Sequence, residues 1–397
     1  MRCLEAPALE HIDLSLSGNS PPFHSAATYT HERLTCTLGQ PPAAWFVSRV
    51  RAGGAFARAV KLLLRQHWVL GDVQLEGIGS LVRLQTLELD NCLRVGGRTL
   101  RRLPPSITEL SLFGEGQIPH IMDEDLAAIA TLPLKLLKLD GCAQHLTPRV
   151  FNSLASLGST LKSLVIAGCC GWSETFVTAD SLACIGEHFK QLEHLSLAGV
   201  GVREFDRHDD AAFDRWMDGF AHLHALAKLQ SLNLYECELS DRALAHIGQI
   251  ASLTNLNLAK HSLVPDLNRI TNEGLRSLAS LHKLEAIELT ACEPKDHYGT
   301  GWRDASWLTD EGLGHLVTLA YEHNLTYINI ENNVGMFGDG TTALESLEAW
   351  CPHGNPGSDF WAHDHYPQGE NAQKLLELDA LELYEGYLSG LSHSDSE

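Results

Sequence analysis

The chain has 397 residues, 44% of them hydrophobic, and a formal net charge of −21. The apolar share suits a folded soluble chain, and so large an acidic excess argues against a general nucleic-acid binder, which presents a basic face. No run approaches the ~20 apolar residues a membrane helix needs, because the most apolar stretch, 60–70, is broken by Lys61, Arg65, Gln66 and His67. Glu5, Glu10 and Asp13 fit neither a secretory signal nor an acid-poor transit peptide, so a cytoplasmic chain without a membrane span is expected.

In chain order, the first apolar pattern is Leu9-Ile12-Leu14, followed by a Pro-rich mixed stretch over 21–42. Residues 33–71 carry six bases and no acid. Within them, Trp45 to Trp68 is a basic, partly amphipathic run predicted to cap the repeats on its C-terminal side, with a strand at Ala59-Leu62-Leu64. Its 49–65 segment is the one place where RNA or an acidic neighbour would find a basic surface.

From Leu84 onward one spacing recurs nine times: an aliphatic, two variable positions, an aliphatic, one variable position, an aliphatic. The units are Leu84-Leu87-Leu89, Ile107-Leu110-Leu112, Leu134-Leu137-Leu139, Leu161-Leu164-Ile166 and Leu192-Leu195-Leu197, then Leu229-Leu232-Leu234, Leu253-Leu256-Leu258, Leu284-Ile287-Leu289 and Leu325-Ile328-Ile330. A single unit cannot bury its own apolar side, whereas a stack builds a continuous core. Between triplets lie Ser240-Asp241-Arg242-Ala243-Leu244, Thr271-Asn272-Glu273-Gly274-Leu275 and Thr309-Asp310-Glu311-Gly312-Leu313. Ser or Thr ahead of acids and an apolar-periodic run starts a helix. Each unit therefore reads as strand, turn and helix, with a right-handed crossover to the next parallel strand.

Cys92, Cys142, Cys169, Cys237 and Cys292 each fall three residues after a triplet's last aliphatic. At that turn a thiol packs as a small hydrophobe and bonds weakly to backbone of the neighbouring loop. Reduced structural cysteines are expected, not disulfides or zinc ligands.

Together, Leu-x-x-Leu-x-Leu-x-x-Cys and Thr-Asp-x-Gly-Leu resemble the cysteine-containing leucine-rich repeat of F-box substrate adaptors and the ribonuclease-inhibitor-like superfamily. The resemblance covers at least residues 84–347. It implies an α/β solenoid, a horseshoe with parallel strands on the concave face and helices on the convex face. It also implies a non-enzymatic binding scaffold, with substrate recognition in a ubiquitin-ligase-like complex as the family's role. A recognisable F-box is not evident before the repeats. The expected organisation is a degenerate repeat and cap over 1–58, the solenoid over 59–350, a C-terminal cap with an acidic helix over 351–391, and a disordered tail over 392–397. Residues 325–397 hold thirteen acids and one base, Lys374.

Triplets start 23, 27, 27, 31, 37, 24, 31 and 41 residues apart, so the long units must extrude loops. Residues 200–224 carry Arg203, Arg207 and Trp216, and 293–307 carry Tyr298, Trp302, Arg303 and Trp307. Aromatic and arginine side chains on loops are the types that anchor protein interfaces, so these are the first candidates for partner contact. Variable strand positions face the concave side, where Phe113, Tyr235, Asn257 and Glu288 extend the candidate surface. A protein partner is expected, with no cofactor and no metal. His208-Asp209-Asp210 lacks a second cluster at ligand spacing, and Cys351-x-His353 with His363-x-His365 matches no strong zinc pattern. Gly335-x-x-Gly338-x-Gly340 lacks a phosphate-loop lysine.

Overall fold

The computed structural model describes residues 10–16, 27–29, 33–38, 50, 56–65, 70–90, 92, 94–114, 121–141, 146–167, 177–200, 210–235, 237–259, 270–289 and 310–329. The chain divides into two compact units, residues 1–192 and 193–397.

In the first unit the strands are β1 (His11–Leu16), β2 (Ala27–Tyr29), β3 (Arg33–Leu38), β4 (Lys61–Arg65), β5 (Thr86–Asp90), β6 (Glu109–Phe113), β7 (Leu136–Asp140) and β8 (Ser163–Ala167). They lie in the order β8-β7-β6-β5-β4-β1-β3-β2. All neighbours from β8 to β3 pair parallel, and Leu87, Leu110, Leu137 and Leu164 sit in register. β2 runs antiparallel to β3. The early units therefore exist, at β1 and β4, but the sheet's first edge is extended by β3 and β2 in the stretch that reads as Pro-rich and irregular. Of the expected capping run ahead of β4, Val50, helical and fully buried, and residues 56–58, in a turn with Phe56 buried, fall among the described residues.

The second unit holds β9 (His194–Ser196), β10 (Ser231–Asn233), β11 (Asn255–Asn257), β12 (Ala286–Glu288) and β13 (Tyr327–Asn329). These also pair parallel, each with the next, and Leu195, Leu232, Leu256, Ile287 and Ile328 are in register. Both units are leucine-rich-repeat stacks of parallel strands joined through helices, as the triplets dictate.

Helix length follows repeat length. The repeats of 23–27 residues at the start leave room only for α1 (Gly97–Leu100), α2 (Asp123–Ala127) and α3 (Val150–Leu154), the latter two continued by 3-10 turns at Ala128–Thr131 and Ala155–Ser159. The repeats of 31 residues or more carry α4 (Ala179–His188), α5 (Asp210–Gly219), α7 (Asn272–Leu278) and α8 (Asp310–Glu322), while the 24-residue repeat at Leu229 still accommodates the seven-residue α6 (Asp241–Ile247). Thr178 and Thr271 cap α4 and α7 as their spacing requires, accepting from the backbone N–H of Ser181 and Glu273. Leu275, Leu278 and Leu281 form the buried stripe.

The Thr and Asp residues near the helix starts do more than start helices. The N–H and hydroxyl of Thr271 both donate to the Asp241 carboxylate of the preceding repeat, at 2.7 and 2.6 Å. Thr147 donates likewise to Asp123. Asp72 accepts from the N–H groups of Gly96 and Thr99, both at 3.0 Å, and from the Thr99 hydroxyl. Asp123 and Asp241 at the start of one helix, and Asp72 in the turn of the preceding repeat, thus fasten the segment that leads into the next helix. Gly274 leaves room at this joint: a Cβ there would press Asp241 Oδ1 well inside van der Waals contact and lie 2.9 Å from Leu244 Cδ2, so both side chains would have to shift.

Candidate functional site

Alternation along each strand sends the triplet aliphatics into the core and the intervening residues to the opposite, helix-free face. In the first unit that face is open over β5, β6 and the start of β7, while Leu63, Asp140, Val165 and Ala167 on it are buried. Thr86, Glu88 and Asp90 on β5, Ser111 and Phe113 on β6, and Lys138 on β7 are half-buried, while Glu109 is exposed. The Arg65 guanidinium bonds Glu88 at 3.1 Å and approaches Asp13 to 4.0 Å. The Thr86 hydroxyl donates to Glu109 at 2.8 Å.

At the C-terminal ends of these strands, Arg65, Asp90, Phe113, Asp140 and Ala167 occupy one register row. Asp140 is only 4% exposed, and its Oδ2 has no hydrogen-bond partner among the described residues. Burial pushes its carboxyl up from 3.8 to about 6, against the opposing pull of the Lys138 ammonium. Gly141 follows in the left-handed region at φ 60°, where a side chain would be strained and would collide with the Gly114 carbonyl.

An acid held more weakly acidic in the folded state binds protons that the unfolded chain releases. Its contribution to stability therefore falls as pH rises from about 4 through 6. Asp140→Asn is expected to stabilise the protein at pH 7 by about 1–3 kcal/mol, with the difference from the parent vanishing near pH 4. Urea melts of both proteins at pH 4 and pH 7 check this.

The second unit differs. The positions equivalent to the open ones carry Ser196, Ser231, Asn233, Asn255 and Asn257, and all five are buried. Asn257 is 7% exposed, and its Oδ1 accepts from the Ala259 N–H at 2.9 Å. Asn233 does the same for Tyr235. Tyr235, expected as an aromatic on an open face, is 4% exposed. Among the described strands of this unit, Glu288, Tyr327 and Asn329 remain half-buried at the β12–β13 end, with the Tyr327 hydroxyl donating to Glu288 at 3.3 Å.

Trp216 is the clearest correction. The charged sequence around it predicts an extruded loop, but residues 210–225 are the repeat's own helix α5 and a following 3-10 turn, Phe220–Ala225. Phe213, Trp216, Met217 and Phe220 form an i, i+3, i+4, i+7 stripe that is buried, with Trp216 at 2% exposure and its ring set edge-on to Phe220. Arg203 and Arg207, together with Tyr298, Trp302, Arg303 and Trp307, lie outside the described residues, as does the Cys351/His353/His363/His365 group.

Two of the five turn cysteines are described, and both behave as the turn chemistry requires. Cys237 Sγ donates to the Leu197 carbonyl at 3.0 Å, and Cys92 Sγ to the Leu64 carbonyl at 3.4 Å, each in the preceding repeat. A histidine cluster that sequence reasoning overlooked lies on the helix side. His224 and His246 have ring centroids 5.9 Å apart, and His246 Nε2 is 3.7 Å from Asp218. Burial and the neighbouring His246 hold His224 below the usual histidine range. Among the described residues no three potential ligands gather to hold a metal ion, and no helix is long and apolar enough to cross a membrane.

No protein-family model matches the sequence, and no curated protein is significantly similar to it. Similar solved structures include an internalin, InlF, from Listeria monocytogenes, at 14% identity over 73% of this chain and 72% of that one, with a TM-score of 0.39. Internalin C2 of the same organism is 15% identical over 70% of this chain and 80% of that one, at 0.33. A structure of the Rad7 and Elc1 complex in yeast is 16% identical over 80% and 76%, at 0.40. On the register of its own parallel strands, with an aliphatic triplet on each repeat and a helix between successive strands, the described residues of each unit have the architecture of a leucine-rich-repeat stack.

Proposed function

We propose that this chain is a non-enzymatic scaffold that binds another protein through the helix-free sheet face and the loops at its edges. The observation that carries this reading is the first unit's sheet face. There Glu88, Asp90, Glu109, Ser111, Phe113 and Lys138 stand at least partly open to solvent on a rigid parallel sheet whose other side is fully packed. Solenoids bind through such extended surfaces, whereas catalysis favours a closed, water-excluding site. Residues Tyr298, Trp302, Arg303 and Trp307 remain the proposed anchors of the edge, with Arg203 and Arg207 as a second set. Within this class, the repeat consensus favours a substrate-recognition role in a ubiquitin-ligase-like complex, with the ligase contact supplied by a separate adaptor.

Affinity purification from native lysate tests this, using the full chain beside a variant lacking residues 295–307 and a Glu88→Lys/Phe113→Ala variant. Loss of the same partners from both variants is expected, with ubiquitin-ligase subunits among them. Retention of every partner by both would overturn the choice of surface.

A further inference from the structure

One row on the first unit's open face pairs the wrong electrostatics with the right geometry for an unliganded surface. Asp90, Phe113 and Asp140 are consecutive register partners on β5, β6 and β7. Adjacent strands lie about 4.8 Å apart, so the two carboxylate positions stand about 10 Å apart with an aromatic ring between them. Phe113 is half-buried, leaving part of its ring open. Asp140 is enclosed, has an oxygen with no partner among the described residues, and has only Phe113 and Ala167 beside it in the row. The nearest base on its own strand, Lys138, lies two residues earlier, and Arg65 at the row's far end is bonded to Glu88.

A buried carboxylate with one oxygen unbonded, only partly offset by Lys138, is costly, and a further cation relieves it. An open aromatic face beside it also attracts a cation. Of the two basic side chains, the guanidinium is planar, stacks on a ring and offers donors to carboxylates on either side, whereas an ammonium acts as a point charge. We propose that the Asp90–Phe113–Asp140 row is a receptor for an arginine side chain carried on a basic segment of the protein partner. This rests on the scaffold reading and assigns the partner its chemistry.

The test uses the full chain and a fluorescein-labelled pentapeptide, Gly-Ser-Arg-Ser-Gly with blocked termini, titrated by fluorescence anisotropy at 150 mM salt. The lysine counterpart is titrated beside it. Phe113→Leu and Asp140→Asn are each expected to weaken arginine-peptide binding roughly five- to tenfold. Glu124→Gln, which removes the same charge from the exposed start of α2, should leave it unchanged. The lysine peptide should bind several-fold more weakly. Equal losses in Asp140→Asn and Glu124→Gln with none in Phe113→Leu would mean attraction by net charge alone and overturn the proposal. So would equal affinity for the two peptides, or no binding by a parent protein whose thermal melt shows it folded. Asp140→Asn keeps the side-chain shape, and its melt separates lost binding from lost structure. The scaffold reading fails separately, if the parent chain retains no partner from lysate whatever the peptides do.

Discussion

Trp216→Ala is expected to destabilise the second unit by about 3–5 kcal/mol, the range for emptying a buried tryptophan site. The indole is enclosed on α5, edge-on to Phe220 and part of the stripe that seats this helix against the core. Its Nε1 has no hydrogen-bond partner among the described residues. Trp216→Phe, which keeps much of the volume and removes that buried N–H, should therefore cost less than about 1.5 kcal/mol. A denaturant titration followed by circular dichroism separates the two variants. Lost partner binding in Trp216→Ala with an unchanged unfolding midpoint would return this residue to the interface.

The second large effect belongs to the joint between α6 and α7. Asp241→Ala strips two short, charge-assisted bonds from Thr271 and leaves its half-buried N–H without that acceptor, at a cost of about 2–3 kcal/mol. Gly274→Ala in the parent drives a methyl group into the same carboxylate and into Leu244, with a similar loss of roughly 1–3 kcal/mol. The two changes are coupled. Once Asp241 is alanine, much of the room a Cβ needs at Gly274 is vacant, so the double variant should be less destabilised than the sum of the singles. Additive losses in a double-mutant cycle would show that the carboxylate and the glycine act independently.

Much of the fold was legible because apolar spacing is its direct cause. Each triplet from Leu84 to Ile328 marks a strand, and Leu275-Leu278-Leu281 marks a buried helix stripe. β3 was hidden because Pro-rich flanks obscure the alternation of Leu34 and Leu38 with Thr35 and Thr37. The charges of 203–215 likewise mask the helical period of Phe213, Trp216, Met217 and Phe220, although that period is present in the sequence. Other features were beyond the sequence. Alternation says which face Asn233, Tyr235 and Asn257 take, not how enclosed that face is. The Asp72, Asp123 and Asp241 joints need the register between repeats, which local spacing does not contain.

These joints share a direction. Thr99, Thr147 and Thr271 donate to an aspartate in the repeat before, Cys92 and Cys237 to a carbonyl in the repeat before, and Ser280 to the Gly248 carbonyl behind it. Removing a repeat from the carboxyl side takes away donors whose aspartate acceptors sit at least partly open to water, which can replace them. Removing one from the amino side strands hydroxyls, thiols and amide groups with nothing to hold. These turn and cap joints thus point one way while the strands bond both ways, since the N–H groups of Leu234 and Leu258 donate to the Asn257 and Glu288 carbonyls of the repeat after. Shortening a stack from either end therefore strands donors.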